Sequence, residues 1–261
     1  MKRFLLVLLT LTVLMPSSWA EPMTTEQLHA DLASLKLAIT QQPKVALNYV
    51  KRGDIYYLLN EQQHAVEDYS TALKLDDTQD NAYFGRGMAY GRIGMVDEGI
   101  ADLSVYIKRH PDSSVAYTKR GVRNIWRKNL QAAEQDLSRA IALDPDSAEA
   151  HDDLGVVNAQ QQRLGMAAKH FSTAIKLDPT YQKAYHNLAM CYYIAGQTQH
   201  ALDEVNTGLG LDPDNRNSLL LKATILQEMG REAEAKKVAE QAEFLPEAHW
   251  TERSAIGGVA K

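Results

Sequence analysis

The sequence predicts an all-α fold: a right-handed superhelical solenoid of antiparallel helix pairs, about six of them, with one further helix sealing the first pair. Three periodic features carry this. A Leu-Asp-Pro string or a close variant recurs every 34 residues, at 75–77, 109–111, 143–145, 177–179 and 211–213. In register with it, a large residue stands four before a small one: Tyr49 and Gly53, Tyr83 and Gly87, Tyr117 and Gly121, His151 and Gly155, Tyr185 and Ala189, then Leu219 and Ala223. Later in each period small residues stand seven apart, as in Ala65 and Ala72, Ala133 and Ala140, Ala167 and Ala174, Ala201 and Gly208, Ala235 and Ala242; the second period departs, with Gly99 and Tyr106. A period of this length marks units that cannot bury an apolar face alone and gain a core by stacking.

The elements follow in chain order. Lys2 and Arg3 precede an apolar stretch from Phe4 to Met15, then Pro16 and the small-residue exit Ser18-Trp19-Ala20. Residues 1–20 read as a secretory signal peptide cleaved near Ala20. The stretch covers about 18 Å as a helix, short of the ~30 Å hydrocarbon core, so no permanent membrane anchor is expected. Within 21–45, residues 24–40 carry an apolar stripe of Leu28, Leu32, Leu35, Ala38 and Ile39, with Thr24 or Thr25 placed to cap a helix that covers the first unit. Six units then tile 46–79, 80–113, 114–147, 148–181, 182–215 and 216–249. Each is two helices around a short break, placed in the fourth unit at Leu164-Gly165. A small residue lets a second helix pass close, the aromatic fills the adjacent gap, and the Pro after Leu-Asp stops the second helix. Residues 250–261 read as a C-terminal tail, with Trp250 folding back over the last helix.

The fourth unit, AEAHDDLGVVNAQQQRLGMAAKHFSTAIKLDP at 148–179, resembles the tetratricopeptide repeat, and the resemblance extends over 46–249. Departures sit at the ends: Asp77 replaces the Pro of the first unit, and Pro246 of the last comes one place early. The resemblance implies a protein-binding scaffold. Some family members hold the acidic C-terminal tails of heat-shock chaperones with a Lys at place five and an Asn at place nine of one unit. Here those places hold Val50 and Asp54, Phe84 and Met88, Thr118 and Val122, so that clamp is absent.

Place seven carries Arg52, Arg86 and Arg120 in the first three units, and sixteen residues later stand Asp68, Asp102 and Asp136. Where the next two units revert to Leu154 and Leu188, the later place becomes His170 and Glu204. The co-occurrence predicts three ion pairs joining the helices of a unit, with a catalytic Arg-Asp role the less favoured alternative. Helical periodicity also assigns a concave wall to Val50, Asp54, Tyr57, Phe84, Met88, Arg92, Thr118, Val122, Ile125, Trp126, Asp152, Val156, Met190, Tyr193, Leu220 and Thr224. The wall reads as an apolar groove for a peptide or protein segment, against the plainer reading that such stripes are core.

Composition narrows the partners. With 28 Lys+Arg against 33 Asp+Glu the formal charge is -5, and losing Lys2 and Arg3 leaves 26 against 33, or -7. No basic excess exists to neutralise phosphates, so nucleic acid is not an expected partner. The single cysteine, Cys191, forms no intrachain disulfide and reads as a small buried hydrophobe. The eight histidines lack HExxH spacing; His151 and His186 could approach across adjacent first helices, as packing substitutes. Neither GxxxxGK[ST] nor GxGxxG is present. Arg52-Gly53-Asp54 invites an adhesion reading, but it falls inside a helix at packing places. The expectation is therefore an exported, periplasmic or secreted, non-catalytic scaffold of the bacterial envelope that needs no cofactor and binds a protein or peptide. Self-assembly into a homo-oligomer through the open last unit is the alternative, and an enzyme of unrecognised type the third.

Overall fold

The computed structural model describes residues 23–245, which form thirteen α-helices and no β-strand. Helix α1 (Thr25–Gln41) is followed by six pairs: α2 (Ala46–Leu58) and α3 (Gln62–Leu75), α4 (Asp80–Arg92) and α5 (Val96–Arg109), α6 (Ser114–Trp126) and α7 (Leu130–Leu143), α8 (Ala148–Gln160) and α9 (Leu164–Leu177), α10 (Gln182–Ile194) and α11 (Thr198–Leu211), α12 (Arg216–Glu228) and α13 (Glu232–Glu243). First helices begin at 46, 80, 114, 148, 182 and 216, a constant step of 34. The signal sequence and tail assigned above lie outside the described residues.

Every helix packs on its neighbours in sequence, and each first helix also touches the next first helix; no contact among the described residues reaches further. That is the contact pattern of a solenoid, in which the core is a chain of small clusters rather than one nucleus. Helix α1 begins with a capping box, Gln27 N donating to Thr24 Oγ1 at 3.2 Å and Thr24 N to Gln27 Oε1 at 2.8 Å. It buries only Leu28 and Leu32 and meets only α2, as a lid would. At the other end α13 exposes Glu232, Glu234, Lys236, Lys237, Glu240 and Glu243, so its outer face is charged.

Within units one to four the helices interlock through a residue without a side chain, Gly53, Gly87, Gly121 and Gly155. A methyl at Gly53 would stand 2.8 Å from Tyr69 Cε1, so α2 and α3 approach closely only because that position is glycine. The side chain that fills this gap comes from the second helix: Tyr69 and Phe171 in units one and four, Leu103 and Leu137 in units two and three.

The turn inside each unit also repeats. Asn60, Gly94, Lys128, Gln162, Gly196 and Gly230, again 34 apart, all have φ between 62° and 80°. Each closes a helix whose following N–H bonds five residues back, as Glu61 N does to Tyr56 O at 2.8 Å and Arg163 N to Asn158 O at 2.9 Å. The break of the fourth unit therefore lies at 161–163, and Leu164-Gly165 already belongs to α9. The chain reverses where a left-handed residue is accommodated, and Gly165 is helical. A lysine in this conformation costs about 1 kcal/mol or more, whereas glycine adopts it freely. Lys128→Gly should raise the urea unfolding free energy by about 0.5–1 kcal/mol after the entropy of the unfolded glycine is subtracted. Asn60→Gly should change it little, because asparagine already tolerates that region.

Candidate functional site

The three Arg-Asp pairs form between the helices of units one to three. Arg52 Nε donates to Asp68 Oδ2 at 2.6 Å, Arg86 Nε to Asp102 Oδ2 at 2.7 Å, and Arg120 Nη2 to Asp136 Oδ1 at 2.7 Å. A second bond makes each bidentate. Arg86 and Arg120 reach one unit back as well, donating to Ser70 Oγ at 3.1 Å and Ser104 Oγ at 3.0 Å. Arg86 also lies 5.9 Å and 5.7 Å from the Tyr83 and Tyr90 ring centroids. These arginines carry structure: a carboxylate and neighbouring rings hold all three heads, and a serine hydroxyl holds those of Arg86 and Arg120 as well. Arg86→Ala should cost about 2 kcal/mol, less than the ~3–5 kcal/mol of a fully buried pair because the guanidinium keeps some solvent. An unaltered thermal midpoint in that variant would exclude a structural role.

The expected concave wall divides in two. Val50, Tyr57, Met88, Val122, Ile125, Thr118 and Asp152 are buried between repeats and present no surface to a partner. Their assignment to the groove is corrected for a geometric reason: adjacent first helices pack against each other, so these side chains lie under a neighbouring helix instead of facing the open wall. Still accessible are Asp54, Phe84, Arg92, Val156 and Tyr193, which are half-buried, and Trp126, Met190, Leu220 and Thr224, which are exposed. Ile194 joins them at 59% exposure, beside Trp126 at 45%, Leu220 at 39% and Met190 at 37%. Arg92 lies 4.2 Å from the Tyr57 ring centroid. Burial raises the Asp54 carboxyl to about 6, against the opposing pull of the Tyr69 hydroxyl, which donates to Asp54 Oδ1 at 2.7 Å.

Arg52, Gly53 and Asp54 are all used internally, which removes the adhesion reading. Cys191 is buried, and desolvation raises its thiol pKa above the ordinary value. His151 approaches His170 on α9, with Nδ1 atoms 3.2 Å apart, while His186 Nδ1 lies 3.1 Å from Ser218 Oγ. Helix pairing within the unit, rather than the neighbouring first helix, supplies the partner of His151.

A buried polar network between first helices escaped the periodic reading. Lys119, almost wholly buried, donates to Glu149 Oε1 at 2.6 Å. One unit on, Lys183 Nζ lies 2.9 Å from Asp152 Oδ2 and 3.0 Å from Asp153 Oδ1, and Asn187 Nδ2 donates to Asp152 Oδ1 at 2.8 Å. Burial chiefly, with Asp152 and Glu149 adding to it, raises Asp153 to about 7 in spite of Lys183. Burial opposes charge on Lys183 too, but the carboxylates Asp153 and Asp152 prevail and hold its pKa well above normal. The signal in the sequence is a 30-residue offset: Lys119 to Glu149 and Lys183 to Asp153. Arg123 is fully buried where other units carry Ile55, Ala89, Val157, Cys191 and Ile225. It donates to Met88 O at 3.2 Å and lies 4.6 Å from the Trp126 ring centroid. Among the described residues no group of three or more His, Cys, Asp and Glu is placed to hold a metal ion.

Four family models match the sequence: one described as TPR repeat at 53–94, and three as tetratricopeptide repeat at 81–113, 127–182 and 170–203. Together they cover 53–113 and 127–203, more than half of the chain. A curated relative, TPR repeat-containing protein MJ1428 of Methanocaldococcus jannaschii, is 40% identical over 53 residues, which is 20% of this chain but only 9% of that protein. Among solved structures, a chain of the APC/C hetero-tetramer Cut9-Hcn1 superposes with TM-score 0.73 at 18% identity, covering 83% of this chain and 43% of its own. YrrB, a TPR protein with an unusual peptide-binding site, gives 0.56 at 22% identity, over 72% of this chain and 97% of its own. At these identities the structural likeness speaks to the fold.

Proposed function

Because the chain belongs to the tetratricopeptide repeat family, whose members generally mediate protein-protein interactions without catalysis, we propose that it is a scaffold that holds an apolar protein segment on its inner wall. The carrying observation is the placement of exposed apolar side chains. Leu47, Val115, Trp126, Met190, Ile194 and Leu220 all belong to first helices, whereas exposed large apolar residues on second helices are Leu75, Met166 and Leu211, two of them at the last residue. Such side chains, kept in water on one wall, favour a ligand that covers them. Rigid stacking means that the receptor gives up little entropy on binding. YrrB, with its own peptide-binding site, is consistent with this use of the fold. The stripe is richest around units five and six, so the docking segment reaches the C-terminal half of the array.

The test is capture of partners from the native cell extract with wild-type protein and a Met190→Glu, Ile194→Glu, Leu220→Glu triple variant, all three sites being exposed. Loss of at least about tenfold in recovered partner, with an unchanged circular-dichroism melt, is expected. Equal recovery sends the interaction to the convex face. Met88 and Val122 are unsuitable positions, since charges there would enter the core.

The setting we propose is the bacterial periplasm, or the medium beyond it, reached through cleavage near Ala20. The n-region, apolar run and small-residue exit support this, and no helix of the described residues is long and apolar enough to cross a membrane. Fractionation with N-terminal sequencing checks it: mature protein starting at Glu21 is expected, and uncleaved cytoplasmic protein overturns the assignment. Self-assembly through the last unit has less support, because a second copy docking there would desolvate the charged face of α13.

A further inference from the structure

Unit four differs from its neighbours at two places, and the two meet. Its fourth residue is His151, where Tyr49, Tyr83, Tyr117 and Tyr185 stand in other units. Its twenty-third is His170, where Asp68, Asp102, Asp136 and Glu204 stand. The rings face each other across α8 and α9 with centroids 5.4 Å apart and Nδ1 atoms 3.2 Å apart. Leu154 occupies the place from which an arginine bridges the helices in units one to three, so no guanidinium intervenes.

The outer nitrogen of His151 fixes its tautomer. Nε2 lies 3.3 Å from Pro145 O, and a carbonyl only accepts, so Nε2 carries the proton of the neutral ring. Nδ1 then presents its lone pair to His170. An imidazole whose remote N–H is held by a backbone carbonyl is oriented as metal-binding histidines are. Two nitrogens each 2.0–2.1 Å from one tetrahedral ion stand about 3.3 Å apart, close to the separation found. An ion can therefore replace the shared hydrogen with a small tilt of the rings, the His170 proton passing through solvent to its Nε2 so that Nδ1 offers its lone pair. Both rings are half-buried and reachable from solvent. Burial lowers the proton affinity of each, and His151 lowers that of His170 further, so lone pairs are available at neutral pH.

We infer that His151 and His170 form a two-imidazole clamp for a divalent transition-metal ion such as Zn²⁺ or Ni²⁺, tying α8 to α9. Two nitrogens leave the remaining positions to water, since no third His, Cys, Asp or Glu completes a set among the described residues. The neighbouring Lys169 opposes the added charge. The clamp is thus labile and stabilises unit four in proportion to free metal rather than being required for folding. It does not depend on the groove reading.

Zn²⁺ alone, titrated calorimetrically into the chain at pH 7.5, should bind with one ion per chain at the pair and raise the melting temperature reversibly on chelation. His151→Tyr, which restores the residue of the other units, and His170→Gln should each weaken binding by about tenfold or more. Undiminished binding in His151→Tyr overturns the inference, as does an unmoved melting temperature at millimolar Zn²⁺. A readout that needs no variant is paramagnetic broadening of imidazole resonances by sub-stoichiometric Ni²⁺ in the wild-type chain. Broadening confined first to His151 and His170 supports the clamp. First losses at His64 or His110, which face Glu61 and Asp80 instead, overturn it.

Discussion

Lys183→Met is expected to lower the unfolding free energy by about 3–5 kcal/mol at pH 8 and by much less at pH 5. The lysine ammonium is shared by Asp152, which has no solvent exposure, and Asp153, which has little. Removing it leaves two adjacent carboxylates in a poorly solvated interface, with one bond from Asn187 to Asp152 as remaining compensation. The sign of the pH effect follows from proton linkage. Without the ammonium Asp153 keeps a folded pKa raised above the unfolded ~3.9 by burial and by repulsion from Asp152. A raised carboxyl contributes stability that is complete below its unfolded pKa and is lost as pH rises through the folded pKa. In the wild type Asp153 already sits at about 7. Without Lys183 it moves higher, so the deficit is largest at pH 8 and shrinks as the pH falls towards 5. Urea midpoints at the two pH values measure this. A deficit of the same size at both would assign the loss to packing of the lysine stem, and adding Asp152→Asn with Asp153→Asn should then restore nothing at pH 8.

What the sequence discloses here depends on whether a feature repeats. The six first-helix starts and the Arg52, Arg86 and Arg120 pairs recur at 34 residues, and recurrence makes a weak local signal legible. The turns were partly hidden despite their strict period, since Asn60, Lys128 and Gln162 share a conformation with Gly94, Gly196 and Gly230 but not a residue type. The wall was misread where burial depends on the neighbouring unit: Met88 and Met190 occupy the same place, yet one is enclosed and the other open. Helical phase gives the direction of a side chain, and only stacking decides what lies in front of it. Lys183 with Asp152 and Asp153, and Arg123 with its surroundings, occur once each, so no period announces them.

Arg123 shows how two apparent irregularities become one arrangement, and it motivates the second large effect. Gly91→Ala should cost about 3 kcal/mol or more. A methyl there would overlap the Arg123 guanidinium at Nε, Cζ and Nη2. An arginine tip normally swings aside, but this one is fully buried, donates to Met88 O and lies 4.6 Å from the Trp126 ring centroid. Moving it would strip a buried charge of its contacts. Gly99 has a different cause: a methyl added there would stand 3.0 Å from Gly87 O, and only at ordinary contact distance, 3.7 Å, from Arg123 Nε. Thus an arginine at a place that is apolar in the other units is matched by a glycine, Gly91, one unit back. If that is the cause, the two sites must be non-additive. In an Arg123→Val background, which installs the residue type of Val157, Gly91→Ala should cost less than about 1 kcal/mol, a coupling of roughly 2 kcal/mol in a double-mutant cycle. Gly94→Ala serves as the control: its methyl meets nothing within 4 Å, φ is +80°, and its cost of about 1 kcal/mol should be the same in both backgrounds. Equal costs of Gly91→Ala with and without the arginine would separate the glycine from the charge, leaving helix-to-helix approach as the sole reason for a residue without a side chain at that position.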